Sequence, residues 1–396
     1  TGSVFLSQTF SNMTEVQTGN ILVGSLGLYE VGEFLGRGGF GRVVECTKMG
    51  SEETFAVKIV DDVRAGHEEI EAMKIIQSLD PDPNNLIKIH ESFQYKDSMC
   101  LVYEMLDESL EDFMERRSFL PAHLCQIRAI AQQMLVALSG LQSINVLHGD
   151  IKPDNIMFVD QVTNPLKLKL IDFGLAVHPQ QLEAGTKMQI NPFRAPEVIL
   201  GVPLDVSVDM WSLGVVLASL YIGDVPFSRK NDYETIRGLV VKNLTEIPDL
   251  DAMAEFHRDT FPLHEEDDHR VFLSLLKSML VMDPRQRITA SSALAHDFIT
   301  MGHLSGEGKA SYAASAKDAM RQAGITEMGS IPYPPMCRSV LGKTQNPKLP
   351  LVGVWRQCSA AEPPPVYECM NEWVNVNVQR FGPSKEGRKH FTNIYH

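Results

Sequence analysis

His148-Gly149-Asp150-Ile151-Lys152-Pro153-Asp154-Asn155, followed later by Leu166-Lys167-Leu168-Lys169-Leu170-Ile171-Asp172-Phe173-Gly174, decides how this chain is read. The second stretch alternates apolar and polar residues, the period of a half-buried strand that delivers Asp172 at its end. Asp150 is a carboxylate able to take a proton from an attacking hydroxyl, and Lys152 is a cation placed to meet a transferring phosphate. Asn155 and Asp172 supply oxygens of the kind a hard cation such as Mg²⁺ prefers. Phosphoryl transfer asks for one base, metal ligands and cations, all held on rigid elements. Taken alone, the same residues also fit a charged surface loop.

Upstream, residues 29–35 read as a strand, then come Gly36-Arg37-Gly38-Gly39-Phe40-Gly41 and a second strand, Arg42-Val43-Val44-Glu45-Cys46. A dinucleotide-binding fold would place a helix directly after such glycines. A valine-bearing strand instead predicts a β-turn-β flap whose backbone amides can approach phosphate oxygens. The next strand, Phe55-Ala56-Val57-Lys58-Ile59-Val60, carries one lysine among apolar neighbours. A helix is expected over 67–79, with Glu69, Ile70, Met73 and Ile76 on one half-buried side. Glu69 is the carboxylate expected to orient Lys58, with Glu71 in reserve. Pro81-Asp82-Pro83-Asn84-Asn85 is a turn, and strands are expected over 87–93 and 98–104. Tyr103-Glu104-Met105-Leu106-Asp107 then links to a helical unit and can offer backbone groups to an adenine ring.

Downstream, Pro121 opens a helix with Leu124, Ile127, Ala131, Met134, Leu138 and Leu141 as a buried stripe. Asp209-Met210-Trp211 opens an apolar helix, with Asp209 expected to cap backbone amides and brace the catalytic loop. His264-Glu265-Glu266-Asp267-Asp268-His269-Arg270 reads as solvated surface, and a helix follows over 272–280. Residues 1–28 read as a flexible lead-in. From about 325 the prolines of Pro332-Tyr333-Pro334-Pro335 and Pro363-Pro364-Pro365 predict an extended or partly disordered tail.

Composition narrows the function classes. The 396 residues carry 36 Lys plus Arg against 50 Asp plus Glu, a net charge of −14, which disfavours direct nucleic-acid binding or an anionic membrane surface. Cys46, Cys100, Cys125, Cys337, Cys358 and Cys369 form no CxxC pair, so reduced thiols in an intracellular setting are expected rather than a disulfide framework or zinc site. The apolar run 210–222 is too short to span a bilayer.

In order, the chain has a Gly-rich flap, a strand lysine, a helix glutamate, an HxDxKxxN loop, DFG, Ala195-Pro196-Glu197, Asp209-x-Trp211 and a late Arg287. This set resembles the eukaryotic protein kinase signature, over residues 29 to about 300. Finer features resemble the homeodomain-interacting protein kinase family of the CMGC group, among them Leu35-Gly36-Arg37-Gly38, Cys100-Leu101-Val102-Tyr103-Glu104-Met105-Leu106 and Phe298-Ile299-Thr300-Met301. The resemblance implies an α+β bilobal kinase fold: a small antiparallel β-sheet N-lobe with one main helix (29–104), a mostly helical C-lobe (108–300) and a C-terminal extension (301–324). It implies a serine/threonine kinase using ATP and Mg²⁺, with a catalytically weak or inactive kinase-fold binding module as the alternative. Asp150 would be the base, Lys152 would steady the γ-phosphate, and Lys58 would pair with Glu69 on the α- and β-phosphates. Asn155 and Asp172 would hold Mg²⁺. The nucleotide would lie under Leu35, Gly36, Arg37, Gly38, Gly39, Phe40 and Gly41, between Val43, Ala56, Met157 and Ile171. Tyr103 takes the gatekeeper position, and Glu104 and Leu106 offer backbone groups. Glu197 and Arg287 would form a buried ion pair. Protein substrates, transcription factors or co-regulators among them, a monomeric state and a nuclear or cytoplasmic location follow from the same resemblance.

The chain departs from that pattern in the activation segment. Gly149, in the loop before it, stands where most kinases carry the arginine that reads a phosphate, a mild change because the family itself has a small residue there. Lys187 stands where the family has a phosphorylatable tyrosine, and Asn191 where it has an arginine, while Arg194 remains. These changes bear on activation and on the preference for proline after the target residue. Lys187 would also repel Arg194 if the two met.

Overall fold

The computed structural model describes residues 16–38, 41–227, 231–233, 235–236, 257, 259–261, 265–306 and 308–325. Residues 1–15 of the expected lead-in, Gly39 and Phe40 of the flap, Cys337, Cys358 and Cys369, and the expected tail over 325–396 apart from its first residue, lie outside the described residues.

The N-terminal part is a six-stranded antiparallel sheet in the order β1-β2-β3-β4-β6-β5. Its strands are β1 (Ile21–Val23), β2 (Leu28–Gly38), β3 (Gly41–Lys48), β4 (Thr54–Val60), β5 (Ile89–Tyr95) and β6 (Ser98–Glu104). The sheet begins earlier than the sequence suggests, because Ile21–Val23 of the expected lead-in pairs with β2 as an edge strand. Leu22 of that strand is buried with Tyr29, Val31, Cys46, Phe55, Val57 and Val102. All three residues of this strand are apolar and only Leu22 is buried, so no alternation is there to be read in advance.

Register fixes which side chains reach the cleft. Val43 lies opposite Lys58 on β4, while Ala56 lies opposite Tyr103 on β6. Directly opposed residues and those two apart share one face of a sheet. Val43, Ala56, Lys58 and Tyr103 are therefore on a common face. Helix α1 (Val63–Ile76) starts one turn before the predicted 67, because the Asp62 carboxylate caps the amides of Arg64 and Ala65. Glu69, Ile70, Met73 and Ile76 form its buried side, as the spacing predicted.

The second part is mostly helical: α2 (Leu110–Arg116), α3 (Leu124–Ser143), α4 (Pro196–Leu200), α5 (Ser207–Ile222), α6 (Glu266–Met279), α7 (Ala290–Leu294), α8 (Asp297–Thr300) and α9 (Ala310–Gln322). Among the described residues, α3 alone is long and apolar enough to cross a membrane, and most of it is buried inside the protein. All six of its predicted stripe residues are buried. A two-stranded sheet, β7 (Ile156–Asp160) with β8 (Asn164–Leu170), lies between the two catalytic motifs.

The acidic run before residue 272 is not all solvated surface. Glu266 to Arg270 form the first turns of α6, and Asp268 and His269 point inward. Fully buried Asp268 accepts from the Arg128 guanidinium, from His303 Nε2 at 2.8 Å and from Tyr312 Oη at 2.6 Å. Reading the run as surface failed because its partners come from α3, the turn at 302–304 and α9, all remote in sequence. Breaking such a pair by removing one partner costs about 3–5 kcal/mol, because a charge is left buried.

Candidate active site

Two clusters of side chains form the site. In the first, Lys58 Nζ lies 2.8 Å from both Glu69 oxygens and 2.7 Å from Asp172 Oδ1. Strand β4 supplies the lysine, α1 the glutamate, and the end of β8 the aspartate, so the cluster ties the sheet to the helical part. Burial penalises the Lys58 charge, but Asp172 and Glu69 outweigh it and raise the lysine above its ordinary range. Burial works against Asp172 ionising as well, and Lys58 more than compensates, holding that carboxylate below its ordinary range. Of the two candidate carboxylates, Glu69 meets Lys58, whereas Glu71 pairs with Lys74 on the exposed side.

In the second cluster, Asp150 Oδ2 accepts from Asn155 Nδ2 at 2.9 Å and lies 2.8 Å from Lys152 Nζ. The same Asn155 nitrogen donates to the Asp150 carbonyl at 2.8 Å. Both bonds engage the amide nitrogen, which leaves the Asn155 oxygen as the acceptor suited to a cation. The described residues contain no cluster of three or more His, Cys, Asp or Glu set for a metal. Mg²⁺ needs none, since it keeps several waters and is usually held by one or two protein oxygens plus substrate phosphates. Asn155 and Asp172 fit that requirement.

The clusters are stitched together. Ile171 N donates to the Asn155 carbonyl at 2.9 Å, and His148 Nε2 donates to the Ile171 carbonyl at 2.9 Å. The His148 ring also packs edge-on against Phe173, with centroids 4.8 Å apart. Asp209 braces the loop from behind: its carboxylate accepts from His148 N at 2.6 Å and Gly149 N at 3.0 Å. It lies in the first turn of α5 but spends both oxygens on the loop, so the bracing role is the one seen. Gly149 has φ 79, a left-handed backbone that glycine adopts without strain. Glu197 and Arg287 form the expected ion pair, buried and two-pronged, at 2.5 and 2.9 Å.

Around the cleft, Val43, Ala56, Met157 and Ile171 are half-buried, Leu35 and Arg37 are exposed, and Gly36 and Gly38 lie in β2. A Cβ on Gly41 would sit 2.3 Å from the Ile59 carbonyl, so no larger residue fits there without moving β4. Glu104 and Leu106 begin the linker, with Glu104 N bonded to the Lys88 carbonyl at 3.1 Å.

Three partners escaped the sequence reading. Tyr103 Oη donates to Glu69 Oε1 at 3.0 Å. The buried Lys169 bridges Glu104 and Asp82, at 2.6 Å to each. Arg194 donates to Asp232 Oδ1 at 2.7 Å. An alternating lysine in a strand reads as solvated, and only the fold shows that Lys169 faces inward.

The activation segment is held by its own atoms. Gln189, at φ 59 and buried, donates to the Val208 carbonyl and Ser212 Oγ and accepts from Ala195 N. Its carbonyl accepts from Arg194 Nη2 at 2.7 Å and Nε at 3.2 Å. Lys187 is exposed, and Arg194 forms an ion pair with Asp232.

A family model described as protein kinase domain matches residues 29–299. Among curated relatives, Homeodomain-interacting protein kinase 1 of Mus musculus is 35% identical over 72% of this chain. The Caenorhabditis elegans protein of the same name is 31% identical over 85% of the chain, covering 49% of its own length. Homeodomain-interacting protein kinase 4 of Homo sapiens is 29% identical over 70%, covering 56% of its own length. The chain spans only 28% of the Mus musculus protein's length. The resemblance read from the motifs agrees with these likenesses. Since the kinase-domain match reaches from β2 into α8, more than half of the chain, the chain belongs to the protein kinase family.

Proposed function

We propose that this chain is a serine/threonine protein kinase that transfers the γ-phosphate of ATP to protein hydroxyls. The observation that carries this reading is the joining of two clusters, Lys58–Glu69–Asp172 and Asp150–Asn155–Lys152, through the backbone of Ile171. Lys58, held by Glu69, meets the α- and β-phosphates. Asp150 faces the substrate hydroxyl and takes its proton, its carboxylate aimed by Asn155. Lys152, 2.8 Å from Asp150, spreads charge from the transferring group. Asn155 and Asp172 would hold Mg²⁺, which would supply charge neutralisation at the phosphates. Glycine amides of the flap cover the phosphates, and the backbone of Glu104 and Leu106 meets the adenine. A hydroxyl is a poor nucleophile in solution, so the chain's residues contribute mainly position and charge.

The activation segment supports a preference for proline after the target residue. The Gln189 carbonyl is turned onto Arg194 and is not offered to a substrate amide. Proline has no amide hydrogen to satisfy. By family resemblance, the substrates would include transcription factors or co-regulators and the location would be nuclear or cytoplasmic. On this reading the kinase domain would run over 29–300, with 301–324 as its extension.

The test is a labelled-phosphate transfer assay on a generic basic protein and on Ser-Pro and Ser-Ala peptides. Transfer that disappears in Asp150→Asn, while ATP still binds, is the expected result. ATP binding without transfer by the wild-type chain would overturn the reading in favour of a non-catalytic binding module.

A further inference from the structure

We infer that Tyr103 is a positioning residue for the nucleotide-binding lysine, acting through the hydrogen bond from its hydroxyl to Glu69. The inference rests on the kinase reading above and adds a group to which the phosphate-binding machinery gives no chemical role. Tyr103 lies on β6 opposite Ala56, on the sheet face that carries Lys58. Its side chain is 6% exposed, and its hydroxyl oxygen is 3.0 Å from Glu69 Oε1. Glu69 is 1% exposed, so its carboxylate has no water to fall back on. It is held by Lys58, at 2.8 Å to each oxygen, and by Tyr103.

The charge balance of the cluster explains why the second donor matters. One ammonium, Lys58, serves two carboxylates, Glu69 and Asp172, so the buried group is one positive charge short. Lys58 must also face the phosphates when ATP binds, and Asp172 must turn to the metal. Glu69 then depends more heavily on whatever else holds it. A neutral phenol donor stabilises the carboxylate without competing for the phosphates. Burial, followed by the neighbouring Glu69 charge, pushes the Tyr103 hydroxyl well above its ordinary range, so it stays a donor across the physiological range. Hydrogen bonds to charged groups are stronger than neutral ones, and leaving such a group buried and short of a donor is penalised further.

Without the hydroxyl, Glu69 gains most by moving towards water, which carries α1 outward and Lys58 away from the phosphates. The effect is therefore confined to nucleotide handling. A phenylalanine at this position keeps the ring and its packing and removes only the donor.

The experiment compares wild type, Tyr103→Phe, Glu69→Gln and the double variant. It measures the Kd for MgATP by calorimetry and, for wild type and Tyr103→Phe, kcat and KM for ATP and for a peptide. Tyr103→Phe is expected to bind MgATP about tenfold more weakly, with the KM for peptide little changed. In the Glu69→Gln background the same change should alter Kd by less than about twofold, because the charged acceptor is gone. An unaltered Kd in Tyr103→Phe, or an equal loss in both backgrounds, overturns the inference. Binding without transfer by wild type removes the kinase reading and leaves the binding comparison to decide the role of Tyr103. Absence of MgATP binding by wild type removes both.

Discussion

The cleft and the activation segment solve the same problem, holding charged groups in a fixed place, by different means. In the cleft, charged groups are held by other members of the proposed phosphate-transfer set: Lys58 by Glu69 and Asp172, and Asp150 by the Lys152 ammonium and the neutral Asn155 amide. In the activation segment, order comes from neutral groups and one acid outside the reaction. Gln189 fills buried donor and acceptor positions, and Asp232 pairs with Arg194. Kinases with an arginine at the Gly149 position and a phosphorylatable residue at Lys187 can order this segment by phosphate. Here Gly149 brings no cation, and an Asp carboxylate already takes Arg194. The difference teaches that one region is constrained by chemistry and the other only by the need for a rigid floor. The second can therefore change its means.

The largest effect should come from the cleft. Asp150→Asn removes the proton acceptor and should lower kcat by roughly 10²–10⁴-fold with the Kd for ATP nearly unchanged, as single-turnover kinetics and calorimetry would show. Equal losses in kcat and ATP affinity would mean that Asp150 organises the site instead. Asp209→Ala should come next, because it leaves the buried amides of His148 and Gly149 without their acceptor. At about 1–3 kcal/mol for an orphaned buried group, the thermal midpoint should fall along with kcat. A fall in the midpoint with kcat intact would detach Asp209 from catalysis.

Asp232→Ala probes the segment. The Asp232 side chain is 39% exposed, so its ion pair is screened, and a loss of no more than about threefold in kcat/KM for peptide is expected, with ATP affinity unchanged. A drop as large as that of Asp209→Ala would show that the segment depends on this single charge. Thr186→Ala should matter least. The Thr186 hydroxyl bonds the Glu183 carbonyl at 2.7 Å, and activity within about twofold of wild type is expected from a single exposed hydrogen bond. Dependence on prior treatment with an upstream kinase, abolished in Thr186→Ala, would erase the contrast between the two regions.

Much of the site was legible because its residues occur in local patterns. Lys58 sits in a strand with a strand's alternation, Glu69 on a helix with a helix's spacing, and Asp150, Lys152 and Asn155 within one loop. The buried side of α1 and the stripe of α3 follow from the same periodicities. Lys169 shows where such reading stops. Alternation in Leu166-Lys167-Leu168-Lys169-Leu170 places both lysines on the polar side, yet Lys169 is buried between Asp82 and Glu104. Asp268 fails in the same way, since one acid in an acidic run looks like its neighbours until Arg128, His303 and Tyr312 surround it.

The sequence by itself determined most elements around the cleft and the candidate reacting groups, because hydrophobic period and motif order are properties of short stretches. Only the tertiary structure decided which further groups meet: that Tyr103 adds a second donor to Glu69, that Lys169 bridges Asp82 and Glu104, and that Asp232 takes Arg194. Those pairings join residues far apart along the chain. Their energies depend on distance and burial, which no local pattern encodes.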